Sequence, residues 1–157
     1  MIGKILYPTD FSKHSLAALP LALDLAKRYE AQMHVLHAVD APYEFLMEDG
    51  YVVPLVTTYP IEVDTLKKSA EQRLDEFVRE NLADFKDAVQ KAVVVGKAFA
   101  EIIHYAREQQ IDLIVLGTHG HSALASMLMG NVAEKVVRKA PCPVLTVRHP
   151  EHKYEAP

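Results

Sequence analysis

The chain contains a single cysteine in 157 residues, Cys142, so no intramolecular disulfide can staple the fold. It lies between Pro141 and Pro143, ahead of an apolar segment, and reads as a buried structural thiol rather than a nucleophile. There is no basic block, and the formal net charge is −4, which argues against a dedicated nucleic-acid surface. No apolar run approaches the roughly 20 residues needed to span a bilayer. No secretory signal is expected, because Lys4 is followed by only a few apolar residues before Pro8 and Asp10. These absences lead to the expectation of a cytoplasmic protein with no membrane or nucleic-acid partner.

What remains is ordinary globular material. Hydrophobic residues make up 50% of the chain, enough for a full core in one domain, expected over 1–149, with a polar tail at 150–157 expected to fray. Ile2 to Tyr7 reads as a short apolar strand ended by Pro8-Thr9-Asp10. Asp10 or Ser12 is placed to cap a helix from about Lys13 to Tyr29, with Leu16, Leu19, Leu23 and Ala26 on one face and Pro20 disturbing one turn. Gln32 to Val39 is a second strand, apolar on both faces, and its His34 and His37 read as core or strand-end histidines. From Asp40 to about Tyr59 the periodicity breaks, with Pro42, Gly50 and Pro54 set among aromatics. A segment this long without clear secondary structure packs on its own domain, a second subunit or a ligand.

Ile61 to Leu82 is the clearest helix, its apolar stripe formed by Leu66, Ala70, Leu74, Phe77 and Val78. Val89 to Val95 is a strand turned by Gly96, Phe99 to Gln109 a helix, and Ile111 to Leu116 a strand. Ser122 to Met129 reads as a short helical insert. Val132 to Lys139 is a helix with Val132, Val136 and Val137 inward, and Val144 to Val147 is the last strand. Strands alternating with helices predict an α/β fold: a single open five-stranded parallel sheet with helices on both faces. Pro8-Thr9-Asp10, Val39-Asp40, Gly96 and Gly117 all fall at carboxyl ends of strands, where such sheets bind ligands.

The stretch with the most specific chemistry is Gly117-Thr118-His119-Gly120, answered by Gly130-Asn131 ten residues later. Strand, glycine turn, insert, glycine and helix make a place for an anion, because glycines bring bare N–H groups close and a helix start supplies unpaired donors. Two glycines alone are also ordinary turn chemistry. The full spacing, Gly-x2-Gly-x9-Gly, resembles that of nucleotide-binding members of the universal stress protein family, where a serine or threonine follows the third glycine and Asn131 stands here. The resemblance extends from Ile5-Leu6-Tyr7-Pro8-Thr9-Asp10 to Ala140-Pro141-Cys142-Pro143-Val144-Leu145-Thr146-Val147.

That resemblance implies a Rossmann-like fold of the adenine nucleotide α-hydrolase type, a part in stress response, and ATP or another adenine nucleotide as ligand. It implies a homodimer paired through Val144, Leu145, Thr146 and Val147. Residue by residue, Pro8, Thr9 and Asp10 match the first-strand segment, with Asp10 on the ribose or adenine side. Val39 matches the position against the adenine, and Leu116 and Gly117 border the ribose. Thr118, His119, Gly120 and His121 supply donors to the phosphates, and Gly130, Asn131 and Val132 supply N–H groups at the helix start. A divalent ion, Mg2+, bridges the phosphates, with no protein ligand for the metal assigned. Asn131 can cap a helix, and its NH2 can donate to phosphate.

His119 and His121 also read as half a zinc site, although no acidic or cysteine ligand lies at a supporting local spacing. As cations at lower pH they would strengthen phosphate binding, so ATP affinity is expected to rise from about pH 8 to about pH 6. The glycine loop lacks the Gly-Lys-Ser/Thr of a P-loop, and no general base is evident, so ATP hydrolysis is expected to be slow at most and no catalytic residue is assigned. The reading is a nucleotide-responsive regulatory dimer. Its alternative is a nucleotide-free interaction module of the same fold, with a protein partner bound through the 40–60 segment or the edge strand. A receiver-type phosphoacceptor would need an aspartate where Gly96 stands, and an adenylating synthetase would need a Ser-Gly-Gly-rich loop where Pro8-Thr9-Asp10-Phe11-Ser12 stands.

Overall fold

A computed structural model describes residues 1–40, 45–48, 51–54, 60–118 and 129–150. In chain order the elements are β1 (Lys4–Pro8), α1 (Lys13–Leu16), α2 (Leu19–Tyr29), β2 (Gln32–Val39), β3 (Phe45–Glu48), β4 (Tyr51–Pro54) and α3 (Pro60–Asn81). A 3₁₀ turn (Ala83–Ala88) follows, then β5 (Val89–Val95), α4 (Ala98–Glu108), β6 (Leu113–Gly117), α5 (Asn131–Lys139) and β7 (Val144–Val147). Five strands form one parallel sheet in the order β5-β2-β1-β6-β7.

Strand alternation divides the core between two faces. Ile5, Tyr7, Met33, Val35, Leu113 and Val115 pack beneath α2 and α3, against Ala22, Ala26, Leu74, Phe77 and Val78. Leu6, Leu36, Ile114 and Leu116 pack on the other side, against Ile102, Tyr105 and Ala106 of α4 and Ala133 and Val136 of α5. Both faces are covered, which is why the central strands carry apolar residues at consecutive positions. Asp112 fixes the start of β1: its Oδ2 accepts from the backbone N–H of Gly3 (2.8 Å) and of Lys4 (2.9 Å). These two bonds hold the Asp112 carboxyl below its ordinary pKa.

Four expectations need correction. The helix predicted over Lys13–Tyr29 is two helices, broken at Ala17-Ala18, because Pro20 has no N–H for the carbonyl one turn earlier and instead occupies the first turn of α2. Leu66 is 45% exposed, since the buried stripe of α3 begins only at Ala70. In α5, Val132 and Val137 are 39% and 46% exposed, and the inward face is Ala133 and Val136, three apart. The segment after Asp40, where no clear secondary structure was expected, contains an antiparallel hairpin with β3 and β4 paired from Phe45–Pro54 to Glu48–Tyr51. Asp49-Gly50 between two β-prone runs is the sequence signal for such a hairpin. The insert expected over Ser122–Met129 lies outside the described residues except for Met129, and the tail beyond 150 lies outside them entirely.

Candidate functional site

β1 pairs with β2 on one side and with β6 on the other, so the chain's connections change direction between β1 and β6. The wiring of β1 opens the sheet there. Thr9 N–H donates to Leu36 O (2.9 Å), which directs odd-numbered residues toward β2. Even-numbered residues face β6, where Asp112 N–H donates to Lys4 O (3.0 Å). Pro8 therefore turns its nitrogen toward β6 with no hydrogen to give, and the β1–β6 register ends at Leu6–Ile114.

A cleft of about 480 Å³ opens at this point, a size suited to a small molecule. Pro8, Thr9 and Asp10 line it from β1, with Ser15 behind them. Leu36 and Ala38 come from β2 and Asp40 from just past its end, Leu116 and Gly117 from β6 and Thr118 from just past its end, and Ala98 and Ile102 from α4. The start of α5 contributes four consecutive residues, Gly130 to Ala133.

The β1 side is held by a directed chain of hydrogen bonds. Ser15 Oγ donates to Ser12 O (2.9 Å), so in its contact with Thr9 Oγ1 (3.0 Å) it accepts and Thr9 donates. Thr9 Oγ1 in turn accepts from Phe11 N–H (2.9 Å). Asp10 Oδ1 accepts from Ser12 N–H (3.0 Å), and Ser12 Oγ caps α1 by accepting from Ser15 N–H (3.1 Å). Below them, Tyr7 Oη donates to Ser15 O (2.9 Å), and burial pushes the Tyr7 pKa up to about 12, so it remains a donor. Phe11 occupies the left-handed region (φ 62°), with its ring 4.4 Å from that of His37 and 5.5 Å from that of Phe77. His37 Nδ1 faces Thr9 O at 2.8 Å, so that nitrogen carries the proton and donates.

On the β6 side, Thr118 N–H donates to Val147 O (2.9 Å), and Thr118 O accepts from Gly130 N–H (2.7 Å). The second bond brings the start of α5 back to the end of β6. Gly130 is the N-cap residue (φ −68°, ψ 152°), and among the described residues no side chain caps the helix. The first bond within the helix is Glu134 N–H to Gly130 O (3.0 Å), so the N–H groups of Asn131, Val132 and Ala133 precede the helical ladder beside the cleft.

A model of the Universal stress protein family matches residues 1–148. The chain belongs to the universal stress protein family. A universal stress protein of Methanocaldococcus jannaschii is 32% identical over 149 residues, covering 94% of this chain and 83% of the relative. Among solved structures, the universal stress protein UspA from Lactobacillus plantarum superposes with a TM-score of 0.68 at 28% identity, covering 94% of this chain and 98% of that one. A universal stress protein solved in complex with cAMP gives a TM-score of 0.65 at 25% identity, covering 92% and 96%.

Within this family fold the cleft brings together Pro8, Thr9, Asp10, Leu116, Gly117, Thr118, Gly130, Asn131 and Val132. Val39 is not among the lining residues. The period of two along β2 gives that face to Ala38 and Asp40, and Val39 O instead accepts from Gly96 N–H (2.9 Å). Asn131 is the first helical residue rather than the cap, a place taken by Gly130. His119, Gly120 and His121 lie outside the described residues. Sequence reasoning assigned none of Ser15, Leu36, Ala38, Asp40, Ala98, Ile102 and Ala133 to the site, although all line the cleft. Asp40 was legible as the residue two beyond Ala38, whereas Ser15 is brought to the cleft by the turn after β1, where its Oγ meets Thr9 Oγ1.

His34 is buried between Tyr105 Oη (3.0 Å from Nδ1) and Gln32 Oε1 (3.2 Å from Nε2). Cys142 is half-buried, and burial pushes its thiol pKa up. Among the described residues no helix is long and apolar enough to cross a membrane.

Proposed function

We propose that the chain binds an adenine nucleotide, ATP with Mg2+, in the cleft between the ends of β1, β2 and β6, and works as a nucleotide-responsive regulatory homodimer with slow hydrolysis at most. The observation that carries this reading is the start of α5. Three consecutive N–H donors, without a side-chain cap among the described residues, border the cleft at the positive end of a nine-residue helix. Apolar Leu36, Ala38 and Ile102 offer a floor for a base. The 25%-identical relative in complex with cAMP supports an adenine ligand. Mg2+ fits as an ion held by phosphate oxygens and water rather than by a protein cage. Among the described residues no group of three or more His, Cys, Asp or Glu is placed to hold a metal. β7 lies at the edge of the sheet, and a second copy pairing there would cover Val144 to Val147.

One observation favours the second reading, a nucleotide-free interaction module. Among the described residues the cleft is lined by two carboxylates, Asp10 and Asp40, and by no lysine or arginine. The test is to denature the purified protein, identify any released nucleotide by chromatography, and titrate Mg-ATP calorimetrically. Gly130→Val is the control variant. Its backbone angles suit valine, so the fold is kept while a branched side chain enters beside the α5 donors. Binding in the wild type that drops at least about tenfold in the variant supports the nucleotide site. No released nucleotide and no heat in the wild type would refute it in favour of the interaction module. Light scattering with and without Mg-ATP checks the dimer.

A further inference from the structure

The cleft is chemically different at its two ends. At one end stands the start of α5, with Gly130 to Ala133 all reaching the cleft. At the other stands the end of β2, where Leu36 and Ala38 share one face by the strand's period of two and Asp40, just past the strand, lines the same cleft. The sheet order places β2 two strands from β6, roughly 10 Å away at ordinary strand spacing, a span that suits a nucleoside. The start of α4 also approaches the β2 end, but only Ala98 of its first turn lines the cleft. That positive end already has a carboxylate: the Glu101 side chain lies against Gly96, 2.5 Å from where a Cβ would stand. An anion is therefore directed to α5, and the base to β2.

At the β2 end the floor is apolar, with Leu36 and Ile102 almost completely buried, and Asp40 is exposed at the rim. Among the described residues nothing hydrogen-bonds or pairs with the Asp40 carboxylate, whereas Asp10 Oδ1 is engaged by Ser12 N–H. An ionised carboxylate only accepts hydrogen bonds. Adenine presents a 6-amino donor to such a group. A 6-oxopurine presents an acceptor in the same place, leaving two oxygens facing each other.

We infer that Asp40 is the base-specificity residue of this cleft, selecting 6-aminopurine over 6-oxopurine nucleotides through a hydrogen bond from the 6-amino group to its carboxylate. The inference rests on the nucleotide reading above. ATP and ITP differ only in the amino or oxo group at the 6-position and in the proton that N1 carries in ITP, so the experiment is calorimetric titration of each, with Mg2+, into the wild type, Asp40→Asn and Asp40→Ala. The residue is exposed at a strand end, so both variants should fold, which circular dichroism checks.

The wild type is expected to bind ATP at least about tenfold tighter than ITP. Asp40→Asn, whose side-chain amide both donates and accepts, is expected to bring the ratio close to one by improving ITP binding. Asp40→Ala is expected to lower the ratio by weakening ATP. Equal affinity of the wild type for ATP and ITP, or the same ratio in all three proteins, would overturn this inference and leave the nucleotide site standing. Failure of the wild type to bind either nucleotide would overturn the nucleotide reading and this inference with it.

Discussion

Thr9→Val tests whether the hydroxyl chain at the end of β1 holds the site in shape. Valine matches threonine in volume, so packing is kept and only the oxygen is lost. Thr9 is 6% exposed, and its Oγ1 does two things: it accepts from Phe11 N–H at 2.9 Å and donates to Ser15 Oγ at 3.0 Å. Ser15 Oγ still donates to Ser12 O in the variant, so losing Thr9 costs it little. Phe11 N–H fares worse, because it is left without that acceptor in a partly buried turn, at a cost of about 1–3 kcal/mol. Phe11 is also held in the left-handed region, unfavourable for a bulky residue by roughly 1–2 kcal/mol. The ring contacts with His37 and Phe77, and Arg73 4.6 Å above the ring, offset part of that.

The expected loss is therefore about 2 kcal/mol, which for a chain of this size lowers Tm by roughly 4–8 °C. Thr9→Ser, which keeps the oxygen, is expected to recover more than half of the loss. Urea unfolding followed by circular dichroism measures both variants. Equal stability of the valine and serine variants would refute the reasoning, since only the oxygen separates its two functions from simple packing.

Two further perturbations probe the surrounding fold. Gly96→Ala is expected to destabilise by about 1–3 kcal/mol, because φ is +153° at Gly96 and an added Cβ would stand 2.5 Å from Glu101 Oε1. Glu101 can swing away, so the same substitution in a Glu101→Ala background should recover little by urea unfolding, and full recovery would show that the contact rather than the backbone sets the cost. Burial, with a smaller contribution from the charge of Lys4, lowers the His34 pKa in the folded state. The unfolded chain then binds that proton more readily, so this contribution is complete above about pH 6.5 and is lost as pH falls through the folded-state pKa. His34→Gln is expected to flatten the fall of the urea midpoint over that acidic range, and an unchanged slope would mean another group titrates there.

The alternation of strands and helices, the two-faced core and the edge of the sheet where the cleft opens were largely legible in the sequence. Consecutive apolar residues in Leu113 to Leu116, too short a run for a helix between turn signals, fit a strand covered on both sides, and each βα turn marks a carboxyl end. Side-chain direction at element ends was less legible. Val132 and Val137 look as apolar as Val136, and only the angle at which α5 leaves Gly130 decides that Ala133 and Val136 face inward. Val39 and Asp40 differ by one position, and the register of β2 against β1, Pro8 opposite Leu36, gives the cleft to Asp40. The hydroxyl chain from Phe11 through Thr9 and Ser15 to Ser12 has no periodic signature, because it depends on where the turn after Pro8 sends each side chain.

Pro8 connects these observations. Read as sequence, it only ends a strand. In the sheet, the alternation of β1 decides which neighbour loses a hydrogen bond, and the loss falls on β6 rather than β2. A proline one position later would have turned its nitrogen toward β2 and replaced the Thr9 N–H bond to Leu36 O, loosening the strand pair that carries Asp40. At position 8 it keeps that pair intact and relaxes the sheet where the chain's direction changes, directly before Thr9 and Asp10 and opposite the start of α5. The cleft thus follows from strand parity as much as from the glycines, and the N–H groups of Asn131, Val132 and Ala133 at the start of α5 supply the donors that make the opening suitable for an anion.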